Sequence, residues 1–533
     1  MTTIRDAFFD VLRHHGLTTI FGNPGSTEIS LLAGLPDDLR FVLGLHEGSV
    51  VGMATGWAIG GGRPALAVLH TTAGLGNAVG AIATARANRV PLVVVVGQQD
   101  RRHLALEPFL AGRLHGLAGE YPVRADHPVR PQDVPGATAR AVHEATTFRG
   151  PALVVVPMDD WDAPFDGVEP LAAPRRLLRP SRVADADLAP LVELLAGARS
   201  PALVAGAGSA WDALVPLAER LGCPVFQEPF GARAGFPQDH SQYAGVLPAD
   251  RPGLREALAG HDVVLAVGAP VFRQYPYTPG PLVAAGTVVA LVTDDPAEAH
   301  RSPADLAYLA SPADVCDRLT ALLPVREEGH GHEDGSAQSG GEAQVAQAPA
   351  GGGPLRTVQV LRELAARLPR DAALIEEAPS ARSDLHRLVP ARTPLGFLSA
   401  AMGGLGFALP AAVGLRMALP GRPVIAVVGD GSALYGLHAL WSAAHYRVGA
   451  LFVVLSNGRY AIMDRLAEQR DHGKAPWPPF TEVNMGALAR SLGCPARHVG
   501  TYGELTAALD EIMPTLTSRD EPLLLDVSVT VDP

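Results

Sequence analysis

Cysteine, lysine and long apolar runs are what this 533-residue chain lacks. It has three cysteines (Cys223, Cys316 and Cys494), far apart and without metal-ligand spacing, so neither a disulfide framework nor a thiolate metal site is expected. That usage suits a reduced cytosol, and a cytoplasmic location is the expectation. Lysine occurs once, at Lys474, and arginine supplies the other fixed cations. The net charge of −12 argues against nucleic acid or an anionic membrane surface as a main partner, though it permits a local phosphate pocket. No run is long and apolar enough to span a bilayer. The opening segment, Thr2 to Leu12, reads as an amphipathic helix and not as a signal peptide.

What the chain has in abundance is short apolar runs alternating with helical stretches. Its length exceeds one hydrophobic core, and three domains are expected. Residues 1–165 carry predicted strands at Phe41–Leu45, Ala65–Leu69, Leu92–Val96 and Ala152–Val156. A proline-rich stretch near 163–180 follows. A second block, 181–324, has strands at Ala202–Ala205, Val263–Val267 and Val288–Val292. Residues 325–354 have no apolar period and read as a flexible linker, with His330 and His332 solvated in it. The third block is 355–533. The alternation predicts an α/β protein of three doubly wound parallel sheets, with sites at their carboxyl edges.

The most specific pattern lies in the third block. The apolar run Pro423–Val428 ends in Gly429-Asp430-Gly431-Ser432; a helix is expected over about 433–446; the run Ala450–Leu455 then ends in Ser456-Asn457-Gly458. In such a unit both strands point the same way, so Asp430 and Asn457 meet at one sheet edge. A carboxylate and an amide oxygen there suit Mg²⁺, and the glycines with a helix N-terminus suit a diphosphate. A glycine turn after a strand is common and carries little weight alone; the strand-helix-strand setting with an amide at its far end favours a metal-bridged diphosphate.

This pattern resembles the diphosphate motif of thiamine diphosphate (ThDP) enzymes, with Ser456-Asn457 where two asparagines are usual. The resemblance implies Asp430, Asn457 and the Arg459 carbonyl as Mg²⁺ ligands, with Gly429, Gly431, Ser432, Ser380 and Tyr460 about the cofactor. It implies that Glu47, otherwise a cap or a solvated acid, hydrogen-bonds the cofactor's pyrimidine and activates it. It also implies that one cofactor is shared by two subunits: at least a homodimer, with a homotetramer as the expected assembly.

Further segments resemble the benzoylformate decarboxylase branch: Asn23-Pro-Gly-Ser-Thr-Glu28, the run from Leu69 to Ala78, the run from Val156 to Asp162, Gly268-Ala-Pro-Val-Phe-Arg273, and the run from Met402 to Pro410. That branch implies a decarboxylase acting on a small-molecule 2-keto acid. Ser26 would hold the substrate carboxylate (its bland alternative is a helix N-cap), and His70 would manage protons at the keto oxygen (the alternative is a buried structural histidine). Gly403 would give a carbonyl to the aminopyrimidine, and Leu405 would wedge the cofactor, the alternative being a core leucine. Three departures stand out. Tyr275 occupies the place of a second catalytic histidine, and tyrosine, with an ordinary pKa of about 10, is a poor proton shuttle at neutral pH. The Tyr460–Leu466 helix carries Ile462 and Leu466 where the branch has a smaller residue and an aromatic one. Glu376-Glu-Ala-Pro-Ser380 replaces a Ser/Thr-rich loop. A carboligase is the alternative reading.

Overall fold

The structure, a computed structural model, describes residues 2–167, 174, 177–178, 182–325, 354–470 and 475–530. Most of both expected linkers, with His330 and His332, and Lys474 lie outside the described residues. Three parallel sheets follow one another along the chain. The first orders its strands Arg40–Leu43, Thr19–Asn23, Ala65–His70, Leu92–Gln98, Pro151–Pro157 and Arg124–Asp126. The second orders Leu306–Leu309, Val288–Thr293, Val263–Val267, Pro201–Ala205, Val225–Gln227 and Tyr243–Val246. The third orders Leu355–Arg356, Leu523–Thr530, Leu451–Ser456, Val424–Gly429, Ala373–Glu377 and Phe397–Ser399, with Ala496–Val499 also paired to Leu523–Thr530.

Continuous apolar runs form these strands because helices cover both faces of each sheet. Leu92–Gln98 and Pro151–Pro157 are buried along their whole length. Register then sets which residues emerge together. Gly22 lies opposite Leu43 and Asn23 opposite Leu69, while His70 lies opposite Gly97. Asn23, His70 and the segment leading to Glu47 thus leave the first sheet at its carboxyl edge. In the third sheet Val428 faces Val454 and Gly429 faces Leu455, which brings Asp430 beside Asn457 as the spacing predicts.

The first and third domains join through two helices, Glu47–Gly61 and Ala408–Ala418, packed backbone to backbone. Both are apolar nearly all round, since each is enclosed. A Cβ on Gly56 would overlap the Ala411 carbonyl, and one on Gly414 would overlap the Met53 carbonyl. The neighbours there are main chain and cannot swing aside. Gly414→Val is expected to cost at least about 3 kcal/mol, seen as a lowered urea midpoint; an unchanged midpoint would show that this seam tolerates a side chain.

One expected element differs. The helix over 433–446 is two pieces, Asp430–Ala433 and Ala439–His445. Between them the chain tightens into three-residue turns, with Tyr435 N–H bonded to the Ser432 carbonyl (3.1 Å) and Gly436 N–H to that of Ala433 (3.0 Å). The reason is tertiary: Gly436 passes close to Pro410 and Gly406 at the start of the seam helix.

Candidate active site

Glu47 opens its helix, and its side chain is 8% exposed. Asn23 Nδ2 donates to Glu47 Oε1 and Asn77 Nδ2 donates to Oε2, each at 3.0 Å. The carboxylate is thus held at a helix N-terminus by two neutral amides. Asn23 and Asn77 lie in the two motif segments but carry no sequence signal of their own; strand order alone brings them to Glu47.

His70 ends the strand Ala65–His70, which pairs with the strand that carries Asn23. Its Nδ1 lies 2.9 Å from Thr27 Oγ1 and 3.0 Å from Glu28 Oε2. Glu28 is buried, and its Oε2 also accepts the Gly25 N–H at 2.7 Å, while the Thr27 hydroxyl donates to its other oxygen. Against this acceptor Nδ1 carries the proton, which leaves Nε2 for exchange with a ligand. The next residue, Thr71, has φ +35°, an uncommon conformation for a β-branched residue and a local strain at the strand-to-helix turn. Gly25 permits the ring's approach, since a Cβ there would strike it. Gly25 itself occupies the cap position of the turn Ser26–Glu28, so the capping alternative for Ser26 is corrected: the carboxylate of Glu28 satisfies the free N–H, and Ser26 is exposed at the edge.

At the third sheet's edge Asp430 is buried. Its Oδ1 accepts the Gly431 N–H (2.8 Å), and its Oδ2 accepts those of Asn457 (2.8 Å) and Gly458 (2.6 Å). Burial raises its pKa, and the three N–H groups oppose that. Asn457 Oδ1 accepts the Arg459 N–H at 3.1 Å. Asp430 and Asn457 are thus neighbours at this edge, and a carboxylate with an amide oxygen is a donor pair that suits Mg²⁺. Ser456, at the departure from the usual asparagine pair, donates instead to Asp526 Oδ1 at 2.6 Å. Gly431 lies under the Tyr460 ring, which packs on Phe480 with centroids 5.1 Å apart. Gly429 and the buried Ser432 complete the turn, and Ser380 is half-buried beyond the neighbouring strand.

The Glu376-Glu377 departure has a structural use. Glu376 Oε1 accepts the Ala378 N–H (2.8 Å) and Oε2 the Arg382 guanidinium (3.0 Å). Glu377 accepts the N–H groups of Gly406 (2.6 Å), Phe407 (2.8 Å) and Ala408 (2.6 Å), clamping the loop that carries Gly403 and Leu405. Gly403 has φ +71°, and Leu405 is 39% exposed, so the core alternative for Leu405 is corrected: it projects from the loop. Tyr275 is 61% exposed. Its segment is tied to the same loop, because Arg273 Nη1 donates to the Ala401 carbonyl at 3.1 Å.

Burial pushes the Glu377 carboxyl from 4.5 up to about 7, against the pull of the three N–H groups. The folded chain then binds this proton more tightly than the unfolded one. Its contribution to stability is greatest below about pH 4.5 and declines as pH rises through about 7. Relative to wild type, Glu377→Gln flattens the stability profile, the difference changing by about 3 kcal/mol from pH 4.5 to 8. Denaturant midpoints across that range check this; parallel profiles would refute it.

Family models for thiamine pyrophosphate enzymes match all three domains: the N-terminal TPP binding domain over residues 2–118, the central domain over 188–319 and the C-terminal TPP binding domain over 380–527. A benzoylformate decarboxylase of Pseudomonas aeruginosa is 41% identical, with 100% of each chain covered. The chain belongs to the thiamine pyrophosphate enzyme family. Thiamine diphosphate is the cofactor of that family, and the carboxylate at Glu47 and the oxygen-rich turn at Asp430 fit it. Among solved structures, the thiamine diphosphate-dependent 4-hydroxybenzoylformate decarboxylase of Rhodococcus jostii RHA1 superposes with a TM-score of 0.92 at 35% identity, covering 100% of both chains. The benzoylformate decarboxylase of Polynucleobacter necessarius gives 0.91 at 31%, covering 100% of this chain and 99% of that one. A putative acetolactate synthase large subunit of Mycobacterium tuberculosis is more distant, at 27% identity over 98% of each chain. The expected three-sheet α/β architecture is the family's own. Among the described residues no helix is long and apolar enough to cross a membrane.

Proposed function

We propose that this enzyme, a carbon–carbon lyase, converts an aryl 2-keto acid of the benzoylformate type to the aldehyde and CO₂, with ThDP and Mg²⁺ as its cofactors. The observation that carries this reading is that the carboxyl edge of one sheet presents both Glu47, held by two amides, and His70, held by Glu28. Bound ThDP supplies the carbon nucleophile and the electron sink that loss of CO₂ requires. Asp430, Asn457 and the Arg459 carbonyl would hold the Mg²⁺; Ser380, Gly429, Gly431, Ser432 and Tyr460 would surround the diphosphate; Gly403 and Leu405 would seat the ring system. Glu47 would hold or release a proton at the pyrimidine nitrogen. His70 Nε2 donates to the keto oxygen as negative charge develops there, its ring kept in one tautomer by Glu28. Ser26 donates to the substrate carboxylate, and its exposed position suits a ligand arriving from solvent.

Tyr275 lies on the segment anchored beside the Gly403 loop and faces outward. Its hydroxyl can position a substrate by donating a hydrogen bond. The working form is a homotetramer in the cytoplasm, with each cofactor between two subunits; the exposed Leu405 and Met402 suit a ligand or second subunit over them. The deciding experiment is a panel of benzoylformate, phenylpyruvate, pyruvate and a branched 2-keto acid, with and without an acceptor aldehyde. The reading predicts fastest turnover of benzoylformate to free benzaldehyde. Release of CO₂ with only ligated product would overturn it in favour of the carboligase.

A further inference from the structure

The helix that begins at Glu47 is capped by the residue before it. His46 has extended backbone (φ −154°, ψ 138°), and its Nδ1 accepts the Gly48 N–H at 3.0 Å. Histidine is an uncommon cap. Serine, threonine and asparagine are the ordinary ones, and their oxygens remain acceptors at any moderate pH. The Gly48 backbone lies against the ring, since a Cβ there would stand 3.1 Å from His46 Nδ1 and 3.8 Å from the Asn77 carbonyl. Glu47 is thus fixed twice. Asn23 and Asn77 hold its carboxylate, and His46 holds the main chain of the turn it opens.

The capping ring is itself braced by the third domain. His438, in the tight turn between Asp430–Ala433 and Ala439–His445, stacks on His46 with centroids 5.1 Å apart and planes 17° from parallel. His438 Nδ1 is buried without a hydrogen-bond partner among the described residues, so the stack and not that nitrogen orients the ring. Burial and the neighbouring His46 hold the His438 imidazole below its ordinary value of 6.5, which keeps it uncharged at neutral pH. The other ionisable groups along this contact are few. Glu47 follows His46 and turns its oxygens to the two amides. Farther along, the Leu43 N–H donates to the Tyr446 hydroxyl at 2.7 Å, and the Arg40 guanidinium lies 5.6 Å over that ring. Two stacked imidazoles carry two charges only at a high cost, so the pair favours its neutral form.

We infer that His46 is a positioning residue for Glu47: its neutral imidazole, braced by His438 across the domain seam, holds the first turn of the Glu47 helix in working geometry. The inference rests on the part that Glu47 plays in the proposed chemistry. Only the tautomer with its proton on Nε2 can cap. A proton taken up at Nδ1 turns the acceptor into a donor and sets it against the Gly48 N–H. It also places a positive charge one residue from Glu47, which favours the ionised carboxylate over its protonated form. Imidazoles take up that proton in mildly acidic solution. Acid therefore loosens the turn and opposes proton uptake by Glu47, and both effects lower turnover.

The test uses full-length enzyme saturated with ThDP and Mg²⁺, turning over benzoylformate from about pH 5 to 8. His46→Ala is expected to lower kcat about tenfold or more at the alkaline end, with KM little changed, because small misplacements of a reacting group are costly. His46→Asn restores most of that loss, since asparagine also caps. Its kcat falls less steeply than that of wild type toward the acid end, because an amide does not titrate. His438→Ala lowers kcat in the same direction as H46A, while His438→Phe, which keeps a stacked ring, stays closer to wild type. ThDP affinity, read by fluorescence quenching, is the same in all four variants. Parallel pH profiles for wild type and H46N, or a loss in H46A confined to KM or to ThDP affinity, would overturn the inference. So would wild-type kcat in H46A beside an inactive Glu47→Gln, which leaves the reading beneath it standing. Near wild-type turnover in E47Q would overturn that reading, and the inference with it.

Discussion

Glu47→Gln is expected to lower benzoylformate turnover by about a hundred- to ten-thousand-fold, the range a positioned proton-transfer group contributes. The substitution keeps size and shape but removes the capacity to carry a proton. It also turns an amide toward one of the two donors, Asn23 or Asn77, so one of those 3.0 Å hydrogen bonds is lost. That loss costs about 1 kcal/mol, too little to unfold the chain or expel the cofactor. Steady-state kinetics with ThDP titrated by fluorescence quenching separate the two effects. The account requires the loss to fall on kcat with ThDP affinity nearly unchanged. A variant with near wild-type kcat would remove Glu47 from the chemistry; one that failed only through weak ThDP binding would make it a binding residue.

Asp430→Asn is expected to weaken ThDP and Mg²⁺ binding together, by about a hundredfold or more, since it removes the one formal charge from the ligand set; even partners behind metal ligands commonly contribute ten- to hundredfold. The damage is compounded locally. Three N–H groups point at the Asp430 oxygens, and an amide would set a donor against one or more of them. Turnover should recover partly at high Mg²⁺ and ThDP, which distinguishes lost affinity from lost chemistry. An unchanged Mg²⁺ requirement would contradict the assignment of this turn as the metal site.

Much of this was legible along the chain, for physical reasons. Strands enclosed on both faces leave continuous apolar runs, so Val263–Val267 and Leu92–Gln98 declare themselves with little ambiguity. The meeting of Asp430 and Asn457 is a local consequence of one strand-helix-strand unit. The helix expected over 433–446 failed because its break depends on Pro410 and Gly406, which belong to another helix's start. The supports of the candidate site were invisible for a like reason. Asn23 and Asn77 reach Glu47 from two other elements, and Glu28 is identifiable as the partner of His70 only once their strand edges are aligned. Neighbouring residues in the motifs carry the resemblance, but nothing in their spacing states the contact.

The central claim is that Glu47 and the Asp430 turn serve one ThDP-dependent decarboxylation. Its most direct test is to strip the enzyme with chelator, restore ThDP and Mg²⁺ separately and together, and measure CO₂ and benzaldehyde from benzoylformate. The account predicts equimolar CO₂ and benzaldehyde only when both are restored. Product formation with neither present, or none with both, would contradict it.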